Sequence, residues 1–328
     1  MPIDLISLGE MMLRLSPPKY ERLRRATALE LRACGAQFNI TANLAALGKK
    51  TRLLTKLPDN ELGWLALSLG DSYGVDMSQV KLEGTKIGMV FVEFSVAPRR
   101  LAHIYDRTGS AASRTTAEDF DWPRLLEGAR LAYLDGIFPA LNPSCRQAAQ
   151  AYLRAAKEAG CTLCFDVNYR ESLWTPGEAL AFYRQILPQV EILVTNRSVS
   201  ENVFDYQGND EQLLSAYKDK FGCSIVCLTY REMDGLQRGS WRSLGLQGDR
   251  IYSGRRFEFE VVDQFGSGDA FFAGVLYGLL EKGDLQYALD FGDALCALAH
   301  TIEGDVATVS PQEVEALLAE GYNLVTRR

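Results

Sequence analysis

Histidine is scarce in this chain of 328 residues, with two in all. A zinc site would therefore fall mainly to the seven cysteines, whose number is odd and whose spacing follows no framework. Only Cys161 and Cys164 stand in CxxC spacing, and the segment Thr162 to Val167 around them reads as a buried strand. They are read as reduced, buried thiols, which fits a cytoplasmic protein. No apolar run approaches the roughly 20 residues that span a bilayer, so no membrane partner is expected. The first residues lack a basic run and carry Asp4 and Glu10, which reads as a first strand and not a signal peptide. Long basic blocks are missing too. Arg99 and Arg100 form only a short pair, and the net charge is −7, so no nucleic-acid partner is expected. Internal repeats and low-complexity tracts are absent.

What remains is an ordinary globular composition, 47% hydrophobic and 23% charged. Buried-strand patterns alternate with helical ones. Strands are expected at Leu5 to Leu8, Arg52 to Thr55, Leu131 to Leu134, Thr162 to Asp166, Ile192 to Val194 and Ile225 to Leu228. Helices are expected at Asn39 to Leu47 and Ser144 to Ala159, the latter stopped by Gly160. A capping box at Ser310 to Glu313 opens a last helix, closed by Gly321. Such alternation predicts an α/β fold, a mostly parallel sheet covered on both faces. Two segments break the rhythm. Met12 to Cys34 lacks a long helical period, and Lys86 to Arg107 reads as two strands joined by a hairpin-like link. They are taken as a small lid, about 12–34 and 86–107, inserted into a single domain spanning 1–328.

The strongest local signal is Asp263-Gln264-Phe265-Gly266-Ser267-Gly268-Asp269. It follows a strand with Phe257, Phe259 and Val261 in alternation, and it opens an apolar helix running to about Leu280. Strand, glycine turn and helix make backbone amides converge where the helix dipole favours an anion. The spacing is neither that of a dinucleotide fingerprint nor that of a P-loop. Asp269, in the first turn, either complements the dipole or acts as a base beside the anion site. A second signal is Asp166-Val167-Asn168-Tyr169-Arg170, just past the carboxyl end of a strand, where ligands bind in parallel sheets. Arg170 suits a carboxylate or phosphate, with a plain loop salt bridge as the alternative. A third is the small-residue turn Cys34-Gly35-Ala36-Gln37-Phe38-Asn39.

Together these segments resemble the ribokinase-like (PfkB-type) carbohydrate kinases, in order and over nearly the whole chain. The 263–269 segment is similar to that family's D-T-x-G-A-G-D turn, and 34–39 to its G-G-x-x-x-N. Further stretches, Gly9 to Pro18, Lys56 to Asn60, Tyr105 to Ala111, Asp166 to Arg170 and His300 to Asp305, resemble the 2-keto-3-deoxygluconate kinase subgroup.

The resemblance implies a Rossmann-like three-layer core with a β-clasp lid, and ATP-dependent phosphorylation of a small sugar acid, first 2-keto-3-deoxygluconate. The alternatives are a kinase of another ketose, aldonate or nucleoside-like sugar and a sugar-binding homologue that has lost catalysis. Mg²⁺ would be required, and a monovalent cation is a further candidate cofactor. It implies Asp269 as base, with Gly266, Ser267 and Gly268 holding the γ-phosphoryl charge. Gly35, Asn39, Tyr105, Arg107 and Arg170 would bind the substrate, the two arginines facing its carboxylate. Asn196 and Thr229 would lie on the nucleotide side. A homo-oligomer through the lid is also implied. The chain departs from the family at Cys34, Val90, Gln264 and Phe265. It departs again at Val199, where an acidic residue usually helps organise Mg²⁺. Either Glu201 replaces that acid through a shifted turn, or metal use is altered.

Overall fold

A computed structural model of the protein describes residues 2–321. Its main sheet has nine strands. Six run parallel in the spatial order Thr51–Leu54, Leu5–Leu8, Leu131–Asp135, Thr162–Asp166, Ile192–Asn196 and Ile225–Asp234. These strands carry short apolar runs because both faces are covered. One face packs against helices that include Pro143–Glu158, Pro176–Ile186 and Asp210–Phe221. The other packs against Ala36–Ala46, Ser267–Lys282 and Leu285–His300. The expected parallel strands appear within one or two residues of their predicted starts. The last of them runs on to Asp234 as one arm of an antiparallel hairpin with Arg238–Gln247. Arg250–Ser253 and Phe257–Glu260 pair with that second arm. Val261 falls just outside the last strand.

Helix ends follow their capping residues. Asn142 caps Pro143–Glu158, and the Ser310 capping box opens Pro311–Glu320. Gly160, just past the former helix, has positive φ, as an αL C-terminal residue requires.

Chain order reverses beside Leu5–Leu8, with Thr51–Leu54 on one side and Leu131–Asp135 on the other. Such a reversal opens a crevice at the carboxyl ends of the strands. Above it stands a separate four-stranded sheet, in the order Glu30–Cys34, Met12–Ser16, Gly88–Glu93 and Ala102–Asp106. Segments 12–34 and 86–107 supply its strands. The face that holds Met12, Cys34 and Val90 looks into the crevice.

Candidate active site

The cleft between this small sheet and the carboxyl ends of the main strands has a volume of about 910 Å³. It collects every candidate site residue: Gly35, Asn39, Tyr105, Arg107, Arg170, Asn196, Thr229, Gly266, Ser267, Gly268 and Asp269.

The floor is the start of helix Ser267–Lys282. Gly266 is its N-cap at φ 73°, and no side chain caps the helix. The first-turn amides therefore have no partner within the helix. A Cβ at Gly266 would lie 1.9 Å from the Asp305 carbonyl oxygen, so only glycine fits. A Cβ at Gly268 would meet no protein atom within 4 Å. The space beside Gly268 belongs to the cleft. Helix Ala36–Ala46 also starts uncapped, at Gly35 with φ 126°, where a Cβ would lie 2.3 Å from the Glu10 carbonyl oxygen. Both glycine turns thus bring bare backbone to the same cavity.

Asp269 is 9% exposed and accepts a 2.7 Å hydrogen bond from Asn39 Nδ2. Asn39 Oδ1 is buried and finds no partner among the described residues. Burial raises the Asp269 carboxyl well above the ordinary carboxylate range. Asn39 opposes this, and the nearby Asp166, Asp135 and Asp305 add to it. Asp135 and Asp166 end adjacent strands in register. Burial lifts Asp135 to about 6, against the amides of Phe138 and Ile137, and lifts Asp166 to about 7 with help from Asp135. Gln37 and Asn168 donate to the two oxygens of Asp135.

The predicted arginines differ in status. Arg107 donates through Nε to Glu10 Oε2 at 2.9 Å, and Glu10 also accepts from Ser110 Oγ at 2.6 Å. Its charge is largely offset. Arg170 makes no ion pair among the described residues, and its guanidinium donors stay open there. Both guanidiniums act on the Tyr105 phenol and on Asp135, so they share one end of the cleft. Tyr105 is half exposed and lies under Arg107, whose guanidinium carbon is 5.7 Å from the ring centre.

On the opposite side Asn196 caps helix Arg197–Asn202, its Oδ1 accepting from Val199 N at 3.0 Å. Val199 is buried in the core. Glu201 does not line the cleft. It pairs with Arg197 at 2.8 Å, so a shifted turn does not bring it toward a metal. That reading of Glu201 is corrected: the neighbouring arginine, itself bound to Asp210, holds the carboxylate outside.

Three residues to which sequence reasoning gave no role of their own, Arg14, Asp263 and Asp305, tie the site together. Arg14, 2% exposed, donates to Asp263 Oδ2 at 2.7 Å and ion-pairs with Asp305 Oδ1 at 2.7 Å. Its guanidinium lies against both Phe94 and Phe265, 5.5 Å from each ring centre, where the two rings meet edge to face. Phe265 therefore breaks the family pattern for a packing reason. Asp263 also accepts from the amides of Phe265 and Gly304. A strand of the small sheet is thus anchored to the glycine turn by a buried charge.

The sequence model described as "pfkB family carbohydrate kinase" matches residues 3–312. A 2-dehydro-3-deoxygalactonokinase of Haloferax volcanii is 34% identical over 98% of this chain and 98% of its own. A 5-dehydro-2-deoxygluconokinase of Clostridium perfringens is 27% identical over 93% and 90%. The crystal structure of a 2-dehydro-3-deoxygluconokinase from Thermotoga maritima superposes with a TM-score of 0.94. It is 31% identical and covers 97% of this chain and 99% of that one.

Proposed function

The chain belongs to the pfkB family of carbohydrate kinases, and from that premise we propose that it transfers the γ-phosphoryl group of ATP to 2-keto-3-deoxygluconate, forming the 6-phosphate. The observation that carries this reading is the shared cleft. Bare amides at a helix start and Asp269 form one wall, and Arg107 with Arg170 stands where an acidic substrate would be held. The unmatched Arg170, beside an Arg107 already held by Glu10, favours a carboxylate over a neutral sugar. The sugar-acid names of the relatives point the same way.

In the reaction, the terminal hydroxyl oxygen attacks the γ-phosphorus and ADP leaves. Asp269 accepts the hydroxyl proton. An aspartate is a weak base, so the proton moves late, as the new bond forms. The raised proton affinity of this buried carboxyl makes that transfer easier. The amides of Ser267 and Gly268 receive the charge that spreads over the phosphoryl oxygens. Asn39 orients Asp269 through Nδ2 and has Oδ1 free for a substrate hydroxyl. Asn196 and Thr229, in register on neighbouring strands, face the nucleotide. The small sheet excludes water, the competing acceptor.

Mg²⁺ would arrive with the nucleotide phosphates and screen their charge. Among the described residues no group of three or more His, Cys, Asp or Glu could hold a metal. That fits an ion bound chiefly by phosphate and water. Asp166, which lines the cleft and makes no ion pair among the described residues, is the carboxylate left to receive it. A monovalent activator finds its nearest carboxylates taken, because Arg14 already lies between Asp263 and Asp305.

The outward face of the small sheet carries Leu31, Leu15, Phe91 and Ile104 in one cross-strand row. A second copy of the chain covering that row is the oligomer this reading includes. The seven buried, unpaired thiols suit a cytoplasmic location. The experiment is an ADP-release screen with ATP and Mg²⁺ over 2-keto-3-deoxygluconate, its galacto epimer, aldonates, ketoses and nucleosides. A preference for neutral sugars would overturn the acidic-substrate reading.

A further inference from the structure

Four arginines line the cleft: Arg107, Arg170, Arg197 and Arg231. Arg107 is matched by Glu10, and Arg197 by Glu201 and Asp210. Arg170 and Arg231 have no ion-pair partner among the described residues. The glutamate next to Arg231 is not available to it, since Glu232 pairs with Arg256 at 3.0 Å.

Arg231 lies two residues beyond Thr229 on strand Ile225–Asp234, opposite Trp241, which also lines the cleft. Trp241 is fixed from behind by a 2.9 Å hydrogen bond from its indole to the buried Asp293. The strand register sets Thr229 beside Asn196, so Arg231 continues the nucleotide wall toward the glycine turn. Its guanidinium feels Arg170 across the cleft and Cys296 within the wall, and it acts in turn on His300, whose carbonyl accepts from Val262 and Asp263 just ahead of the turn. Desolvation of its guanidinium in the cleft lowers its proton affinity, and like charge on Arg170 adds to that, though the side chain keeps contact with solvent and stays charged at any working pH.

Two unmatched guanidiniums that line one cavity repel when it is empty. A polyanion between them removes the repulsion. The adjoining helix start, Arg197–Asn202, offers no carboxylate toward a metal, with Val199 in the core and Glu201 paired away. Fixed positive charge is therefore short at the place where the transferring group gains its negative charge.

We propose that Arg231 is a further catalytic residue, whose guanidinium binds the phosphoryl group in transit on the side opposite the amides of Ser267 and Gly268. This rests on the kinase reading above. As the bond from the γ-phosphorus to the bridging oxygen breaks, its electron pair stays with ADP. A bond from the sugar oxygen forms, and the hydroxyl proton goes to Asp269. Arg231 forms and breaks no covalent bond. It hydrogen-bonds the equatorial oxygens and binds them more strongly as their charge grows.

The test compares Arg231→Met, Arg231→Lys and Arg170→Met with the wild-type chain, in turnover and in nucleotide binding. Loss of a preorganised donor of this kind typically lowers kcat about 10²–10³-fold. Arg231→Met is expected to show that loss with KM for the sugar acid within about 3-fold, while Arg170→Met raises KM. Arg231→Lys should recover part of the rate, since a point charge lacks the planar fork. In binding, Arg231→Met should abolish most of the preference for a non-hydrolysable ATP analogue over ADP. An unchanged kcat, or a defect confined to KM for the sugar acid, overturns the proposal. So does an unchanged analogue preference, which is measured without any sugar. If the wild-type chain phosphorylates no sugar acid, the substrate reading fails, and the binding comparison still decides the role of Arg231.

Discussion

Arg14→Met removes the cation that bridges Asp263 and Asp305 while leaving an apolar side chain against Phe94 and Phe265. The three charged side chains are 2%, 2% and 9% exposed. Breaking a buried pair strands an uncompensated charge, and the cost is about 3–5 kcal/mol. Protonation limits that cost. Burial already raises Asp305 to about 6, and Arg14 holds it down. Without Arg14 its pKa rises further, so the folded variant keeps a proton that the unfolded chain has released. A raised carboxyl stabilises below the unfolded pKa and loses that contribution as pH climbs through the folded value. The deficit against wild type is therefore smaller at pH 5 than at pH 8. Urea unfolding followed by tryptophan fluorescence at both pH values measures it. A loss below about 1 kcal/mol, the size of an exposed pair, and equal at the two pH values would refute the buried-anchor reasoning. Turnover should fall as well, because Asp263 and the Asp305 carbonyl shape the glycine turn.

Gly266→Ala and Gly268→Ala should part company. The first forces positive φ on alanine and a 1.9 Å approach to the Asp305 carbonyl, so it is expected to destabilise the fold in thermal melts. The second meets open space within a helix and should stabilise by up to about 1 kcal/mol. It should nonetheless cut turnover about tenfold or more, a barrier of roughly 1.4 kcal/mol, because the methyl group enters the anion site. Asp166→Asn removes a carboxyl raised to about 7 in the folded chain. The variant should gain stability relative to wild type as pH rises from about 4 to about 7, the range in which the native carboxyl's contribution is lost. Parallel unfolding curves across that range would argue against it. Arg170→Ala should weaken sugar-acid binding, and an unchanged affinity would remove it from the carboxylate clamp.

The parallel strands were legible because each carries a short apolar run, as a strand covered on both faces does. The glycine turn and Arg170 were legible because their chemistry is local in the chain. What was not legible depends on distance. Arg14 and Asp263 are 249 residues apart, and nothing in the neighbourhood of either announces the other. Phe265 looked like an oddity until its ring proved to cover Arg14. Glu10 and Asp135 could have been suspected from one signal, a carboxylate just beyond or at the carboxyl end of a buried strand. The antiparallel hairpin after Thr229 carries Arg231 into the cleft. Its strands show no clean alternation, because exposed positions such as Arg231 and Glu232 follow one another and Trp241 and Ser240 are buried side by side.

Asp269→Asn keeps the shape of the carboxyl group, and its amide should leave the helix start intact. Side by side, ATP affinity and the rate of 2-keto-3-deoxygluconate phosphorylation should separate in this variant. The expected result is near-normal nucleotide binding with most turnover gone. Turnover close to that of the unaltered chain would show that the proton leaves by another route, and the mechanism built on this carboxylate would be wrong.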